Sequence, residues 1–233
     1  MRLRLPLFLA FCVVFATGAD APSRPLVLPE LFVHLKHAED DLERGQAGKA
    51  RAHAELVLLA RPIRVHVDTG DPRLRELAEQ AMRHWEAHVG ALRFDLVDAR
   101  EAHDVHIRFQ PGLSRNGSNL AGHVKWRRVV RPAGGLFEWS IEAHITLRTR
   151  RPDGRPMLDD AIVQAAMHEL GHVLGLADCE GYEHVMSPLL LDRPCTTPSH
   201  SELTALRDLR GRAKDVITRI ELLTAYNRQS AAD

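Results

Sequence analysis

The feature that most constrains this chain is the string His168-Glu169-Leu170-Gly171-His172. It sits in a run whose apolar residues Ile162, Val163, Ala166, Leu170, Val173 and Leu174 recur at helical spacing. Residues four apart on a helix share a face, so both imidazoles can reach one point. Such a pair suits zinc, which favours imidazole nitrogen. Catalytic zinc sites take three protein ligands and leave the fourth position to water. Glu169, beside the first histidine, is placed to hydrogen-bond that water without binding the metal. Gly175 comes three residues after His172, and Asp178 three after that. A glycine there can take a left-handed conformation and end the helix, so that the chain turns back and brings Asp178 under the same ion as a third ligand. Met186 comes eight residues later, in Val185-Met186-Ser187-Pro188.

On these residues the chain resembles the metzincin clan of zinc peptidases, whose signature is an extended helix motif followed by a methionine turn. Within the clan it is most similar to the matrixins and to small bacterial peptidases that use aspartate as third ligand. The likeness spans Pro62 to the C-terminus and is concentrated between Ala165 and Pro188. Val105-His106-Ile107-Arg108-Phe109 and Leu120-Ala121-Gly122-His123 look like the family's third strand and its substrate-lining edge strand. The resemblance implies an α+β, zincin-like domain: a twisted mixed sheet with an active-site helix and a C-terminal helix. It also implies Zn2+ on His168, His172 and Asp178, Met186 as an apolar floor, and an extended peptide or protein substrate along Ala121, Gly122, His123 and Val124. In that chemistry Glu169 takes the proton of an attacking water and later delivers it to the leaving amine, while zinc lowers the water's pKa and stabilises the oxyanion. The specificity pocket would be built by Ser187 to Ser199, with Pro188, Leu189, Leu190 and Leu191 as an apolar wall.

Two departures matter. Most of the clan has histidine where Asp178 stands; an aspartate lowers the net charge of the site by one. His184 and Glu180 are alternative third ligands. No matrixin-like cysteine-switch segment is recognisable ahead of the domain. Matrixins often hold a second, structural zinc on strand histidines. Here His103, His106, His123 and His144 lack a clear ligand spacing and read as surface or core residues, as do His34, His37, His53, His66, His84 and His88.

Periodicity outlines the rest. Leu31, Leu35, Ala38 and Leu42 predict a helix stopped at Gly45, and Gly48 to Leu59 a second, forming a hairpin that is either a brace or a pro-segment. A single helix pair has too little core to stand alone, so it should dock on the larger domain C-terminal to it. Ile63, Val65 and Val67 alternate as in a half-buried strand. Asp71-Pro72 opens a helix over Leu74 to Val89. Further strands lie at Arg93 to Val97, Val105 to Phe109, Val124 to Val130 and Trp139 to Leu147, with a loop over Pro111 to Asn119 and a turn at Pro132-Ala133-Gly134-Gly135. Helices cover Leu158 to Leu174 and Ser201 to about Leu223, the second capped by Ser201 and turning Leu203, Leu206 and Leu209 inward. This divides the chain into a leader (1–19), a linker and hairpin (20–60) and a metallopeptidase domain (61–233).

Arg2 and Arg4, the apolar stretch Leu5 to Ala16 and small residues ending at Ala19 have the order of a secretory signal peptide. An uncleaved anchor, or a lipid anchor on Cys12, is the alternative. The expected destination is secreted or periplasmic, with no membrane insertion after cleavage. Cys179 and Cys195 would remain, an even pair that suggests a disulfide closing a loop of about 16 residues, worth on the order of 3 kcal/mol. Lys plus Arg and Asp plus Glu both number 31, so no basic surplus points to nucleic acid. Asn116-Gly117-Ser118 is a formal glycosylation sequon. The function expected is a monomeric, zinc-dependent endopeptidase. The alternatives are a metzincin-like zinc-binding receptor or inhibitor, and a metal-free protein whose histidines only pack.

Overall fold

Apolar periodicity produces, in chain order, helices Pro29–Glu43 (α1) and Ala47–Leu58 (α2), strand Ile63–Asp68 (β1), helix Pro72–His88 (α3), and strands Phe94–Leu96 (β2) and Val105–Gln110 (β3). Two short strands, Ser114–Arg115 (β4) and Ser118–Asn119 (β5), precede the long pair Gly122–Ala133 (β6) and Leu136–Arg148 (β7). Helices Asp159–Leu174 (α4) and His200–Ser230 (α5) complete the chain. This computed structural model describes residues 26–115, 118–181 and 183–230. The expected leader, the first part of the linker, and Asn116 and Gly117 of the sequon lie outside the described residues. No described helix is long and apolar enough to cross a membrane.

The five-stranded sheet runs in the order β2-β1-β3-β7-β6. β2, β1, β3 and β7 are parallel, and β6 is the antiparallel edge. Its inner face carries Ile63, Val65, Val67, Val105, Ile107, Ala143, Ile145 and Leu147, all buried against α3 and α4 in one core. Trp85 of α3, fully buried, donates its indole N–H to the carbonyl of Met167 on α4 at 2.9 Å and so ties the two helices together. The β6–β7 hairpin is longer than predicted, and its turn is only Gly134-Gly135, both with positive φ. Part of the predicted 111–119 loop is the small β4–β5 ladder.

A second core joins the helical hairpin to the last helix. Leu31, Leu35, Ala38 and Leu42 of α1 and Ala50, Ala54 and Val57 of α2 bury against Leu209, Ala213, Val216 and Ile220 of α5. The hairpin therefore docks on the C-terminal part of the chain, as its thin core requires. Helix α5 begins two residues earlier than a Ser201 cap would allow. Ser199 Oγ accepts the Glu202 backbone N–H at 3.3 Å, and the Glu202 carboxylate accepts the Ser199 N–H at 2.6 Å. This reciprocal pair is a capping box.

Candidate metal centre

Helix α4 is apolar around most of its surface, so it lies buried between sheet and α3, with Asp159 and Asp160 in its first turn complementing the helix dipole. It ends at Gly175, whose φ of +110° suits glycine and would strain any other residue. A Cβ there would also strike Leu31 of α1. The chain then reverses and presents Asp178.

The three expected ligands converge. Asp178 Oδ1 lies 3.1 Å from His168 Nε2 and 3.4 Å from His172 Nε2. The two imidazoles stand nearly perpendicular, with centroids 4.9 Å apart. Each ring is held by its other nitrogen: His168 Nδ1 donates to the Val185 carbonyl at 3.0 Å, and His172 Nδ1 to the Leu176 carbonyl at 2.9 Å. A carbonyl only accepts, so Nδ1 carries a proton in each ring and Nε2 faces the shared point, where it donates to Asp178 when protonated and offers its lone pair to a metal when not. Such backbone-fixed tautomers are what imidazole ligation of a metal requires. One ligand atom from each residue lies within 4.8 Å of the others, so the donor set fits a zinc ion.

Charge agrees with this arrangement. Hydrogen bonds from His168 and His172 hold the Asp178 carboxyl far below the usual carboxylate range. Burial works against protonating His168, but Asp178 and Glu169 outweigh it and raise its pKa. Burial pushes Glu169 up, opposed by the two histidines and by a hydrogen bond to the Val124 backbone. The Glu169 carboxylate lies against Gly122 at the start of β6, where a Cβ would come within 2.5 Å of its Oε1. Ala121, Gly122, His123 and Val124 do fall where the sheet's outermost strand begins, beside Glu169.

Neither alternative ligand joins the group. His184 Nδ1 pairs with Ser199 Oγ at 2.8 Å, and His184 clusters instead with Cys179 and Glu202. Glu180 lines the adjoining cleft. Met186 is fully buried with its sulfur against Gly171, where a Cβ would lie 2.3 Å from it, and its backbone N–H is held by Glu202 at 2.8 Å. The expected disulfide is not formed. Cys179 Sγ faces Ser187 Oγ at 3.6 Å, while Cys195 Sγ donates to the Thr197 carbonyl at 3.4 Å, so the two thiols are free and turned to different neighbours.

Several supporting residues carry no local motif. Trp126 of β6 stacks on His172, with centroids 5.5 Å apart. Arg128 of the same strand, almost wholly buried, donates to the carbonyls of His172 and Val173 at 2.9 and 2.8 Å, capping α4 with a cation. Burial lowers its pKa to about 10, which leaves it charged at neutral pH. Its counter-ion is Glu30 of α1, which also accepts the Trp126 indole N–H at 2.7 Å. On the opposite face of the sheet, register places His66, His106 and His144 side by side on β1, β3 and β7. His66 and His106 form a group with Asp68 that the sequence spacing did not disclose.

A cavity of about 560 Å3 opens beside the metal centre. Its apolar lining includes Leu189 and Leu191, as expected, but not Leu190, which is exposed. Arg148, Arg150 and Arg151, from the end of β7 and the loop before α4, line it as well. The only local sign of them is the basic run Arg148-Thr149-Arg150-Arg151.

A family model described as matrixin matches residues 63–208. No curated protein matches the chain. Among solved structures, archaemetzincin from Methanopyrus kandleri is similar at 15% identity and a TM-score of 0.43, over 64% of this chain and 95% of that one. Myroilysin is similar at 10% identity and a TM-score of 0.41, over 64% of this chain and 79% of the other.

Proposed function

Because the chain belongs to the matrixin family, we propose that it is an exported zinc-dependent endopeptidase. The observation that carries this reading is the convergence of His168 Nε2, His172 Nε2 and Asp178 Oδ1 beside a buried carboxylate, Glu169. Zinc bound by those three residues would lower the pKa of a water towards neutrality and polarise a peptide carbonyl. The protein's own share begins with Glu169. Its burial favours holding a proton, which suits a group that takes one from an attacking water and returns it to the leaving amine. The edge of β6 at Ala121 to Val124 offers backbone groups to an extended peptide, which would add as a further strand. Met186 fills the space under the helix, and Arg128 with Trp126 holds His172 in place. Export is supported by the order of charged, apolar and small residues from Arg2 to Ala19.

Glu169→Gln tests the assignment. The variant should retain one zinc by elemental analysis, while hydrolysis of an unstructured protein falls by at least about 100-fold. Full activity in the variant would reject the role given to Glu169. A wild-type chain that binds zinc and cuts nothing would favour a binding module.

A further inference from the structure

We propose that the cavity beside the metal centre is a subsite for an acidic side chain, so that the peptides cut here carry Asp or Glu next to the scissile bond. The inference rests on the peptidase reading above and names its substrate class. The cavity is continuous with the reacting groups, since His168 and Glu169 line it together with Arg148, Arg150 and Arg151. A side chain entering it therefore belongs to a residue close to the bond that is cut.

Arg148 carries most of the argument. It is only 8% exposed, and its contacts are neutral: Nε reaches the Arg150 carbonyl, and one terminal nitrogen donates to Asn119 Oδ1 at 3.0 Å. Among the described residues no carboxylate pairs with it. A guanidinium does not lose its proton at working pH, so a full charge sits in a poorly hydrated place without a counter-ion. An arriving carboxylate would supply that counter-charge and could take two parallel N–H bonds from the guanidinium fork.

Its neighbours add to the field rather than cancelling it. Arg150 is exposed and donates to the Gly154 carbonyl at 3.0 Å. Arg151 faces Asp192 at 3.8 Å, but that aspartate is 91% exposed and its charge is screened by water. The acidic groups of the cavity, Glu169, Asp178 and Glu180, come from the helix and bend of the metal centre. Met157, Met186, Leu189 and Leu191 supply apolar walls, which suit the methylenes of Glu and strengthen the electrostatics at the guanidinium.

The test uses full-length, zinc-loaded chain carrying Glu169→Gln, which binds peptides without turning them over. The probes are fluorescein-labelled, end-blocked heptapeptides in which one Glu is walked through an alanine-glycine background. One Glu position should tighten binding roughly 10- to 100-fold over the neutral peptide. Adding Arg150→Glu should remove that gain, read as the ratio of acidic- to neutral-peptide affinity within the same variant. Arg148→Gln should do the same, with thermal unfolding as a check on its fold. Equal binding of acidic and neutral peptides would overturn the inference. So would a gain indifferent to both Arg148→Gln and Arg150→Glu. Hydrolysis by the unsubstituted chain is scored separately: failure to cut any peptide would sink the peptidase reading, while the binding comparison still decides the subsite.

Discussion

At the scale of single residues, Asp178 is the choice on which the metal centre turns. Its carboxylate faces both imidazoles, whereas His184 is engaged with Ser199. Changing a group that merely orients a ligand typically costs 10- to 100-fold in metal affinity. Asp178→Ala, which would remove a proposed ligand outright, should therefore weaken zinc binding by more than about 100-fold, measured by competition with a chromophoric chelator. His184→Ala should leave the affinity unchanged, and the reverse outcome would transfer the ligand role. The convergence of His168, His172 and Asp178 was legible in the sequence because the geometry is local: a four-residue helical spacing, a glycine stop and a short bend need no knowledge of distant contacts. Arg128, Trp126 and Glu30 were not legible, because strand pairing and hairpin docking bring them to His172 from far away in the chain. Nor were the three arginines of the cavity, although they form a basic run that could have been singled out.

At the scale of elements, apolar periodicity located every major helix and strand, and the errors fell at their ends. Ser201 looked like the cap of α5, but Ser199 with Glu202 holds that position, since only that pair satisfies both backbone N–H groups. Glu202 does more than cap, because its other oxygen takes the Met186 N–H and so fastens the methionine turn to α5. Glu202→Ala should destabilise the fold by about 2–3 kcal/mol in urea titration, whereas Ser201→Ala should change little. The hairpin has its own pH response. Burial, then the charges of His34 and His37, lower the His53 pKa from its ordinary 6.5 to about 4, with Lys49 adding to the shift and Asp41 opposing it. Between those values the unfolded chain binds a proton that the folded chain refuses, so stability is lost as pH falls through that window and levels off below it. His53→Gln should flatten that part of a plot of melting temperature against pH. An unchanged slope would mean that other groups control acid sensitivity.

At the scale of the whole molecule, the question is whether the helical hairpin inhibits the site or supports it. Sequence could not choose, because the apolar face of a hairpin looks the same in both cases. The contacts favour support. Leu28 donates to the Gly175 carbonyl at 2.8 Å, and Ala177 to the Leu26 carbonyl at 2.9 Å, so residues 26–28 pair with the bend that carries Asp178. Leu31 packs on Gly175, and Glu30 neutralises the cation that caps α4. The hairpin also covers α5, burying a second core that would otherwise face water. A removable inhibitor would instead occupy the cavity lined by His168 and Glu169, and none of the described hairpin residues does so. A protease site inserted at exposed Arg61 should therefore be cut without releasing the hairpin, and activity should persist in the nicked chain. Glu30→Gln should leave Arg128 buried without its counter-ion and cost several kcal/mol, with zinc affinity falling alongside stability. If nicking instead raised turnover and the hairpin then dissociated, residues 26–60 would be a pro-segment, and the pairing with the Gly175 bend would be a contact of the latent form alone.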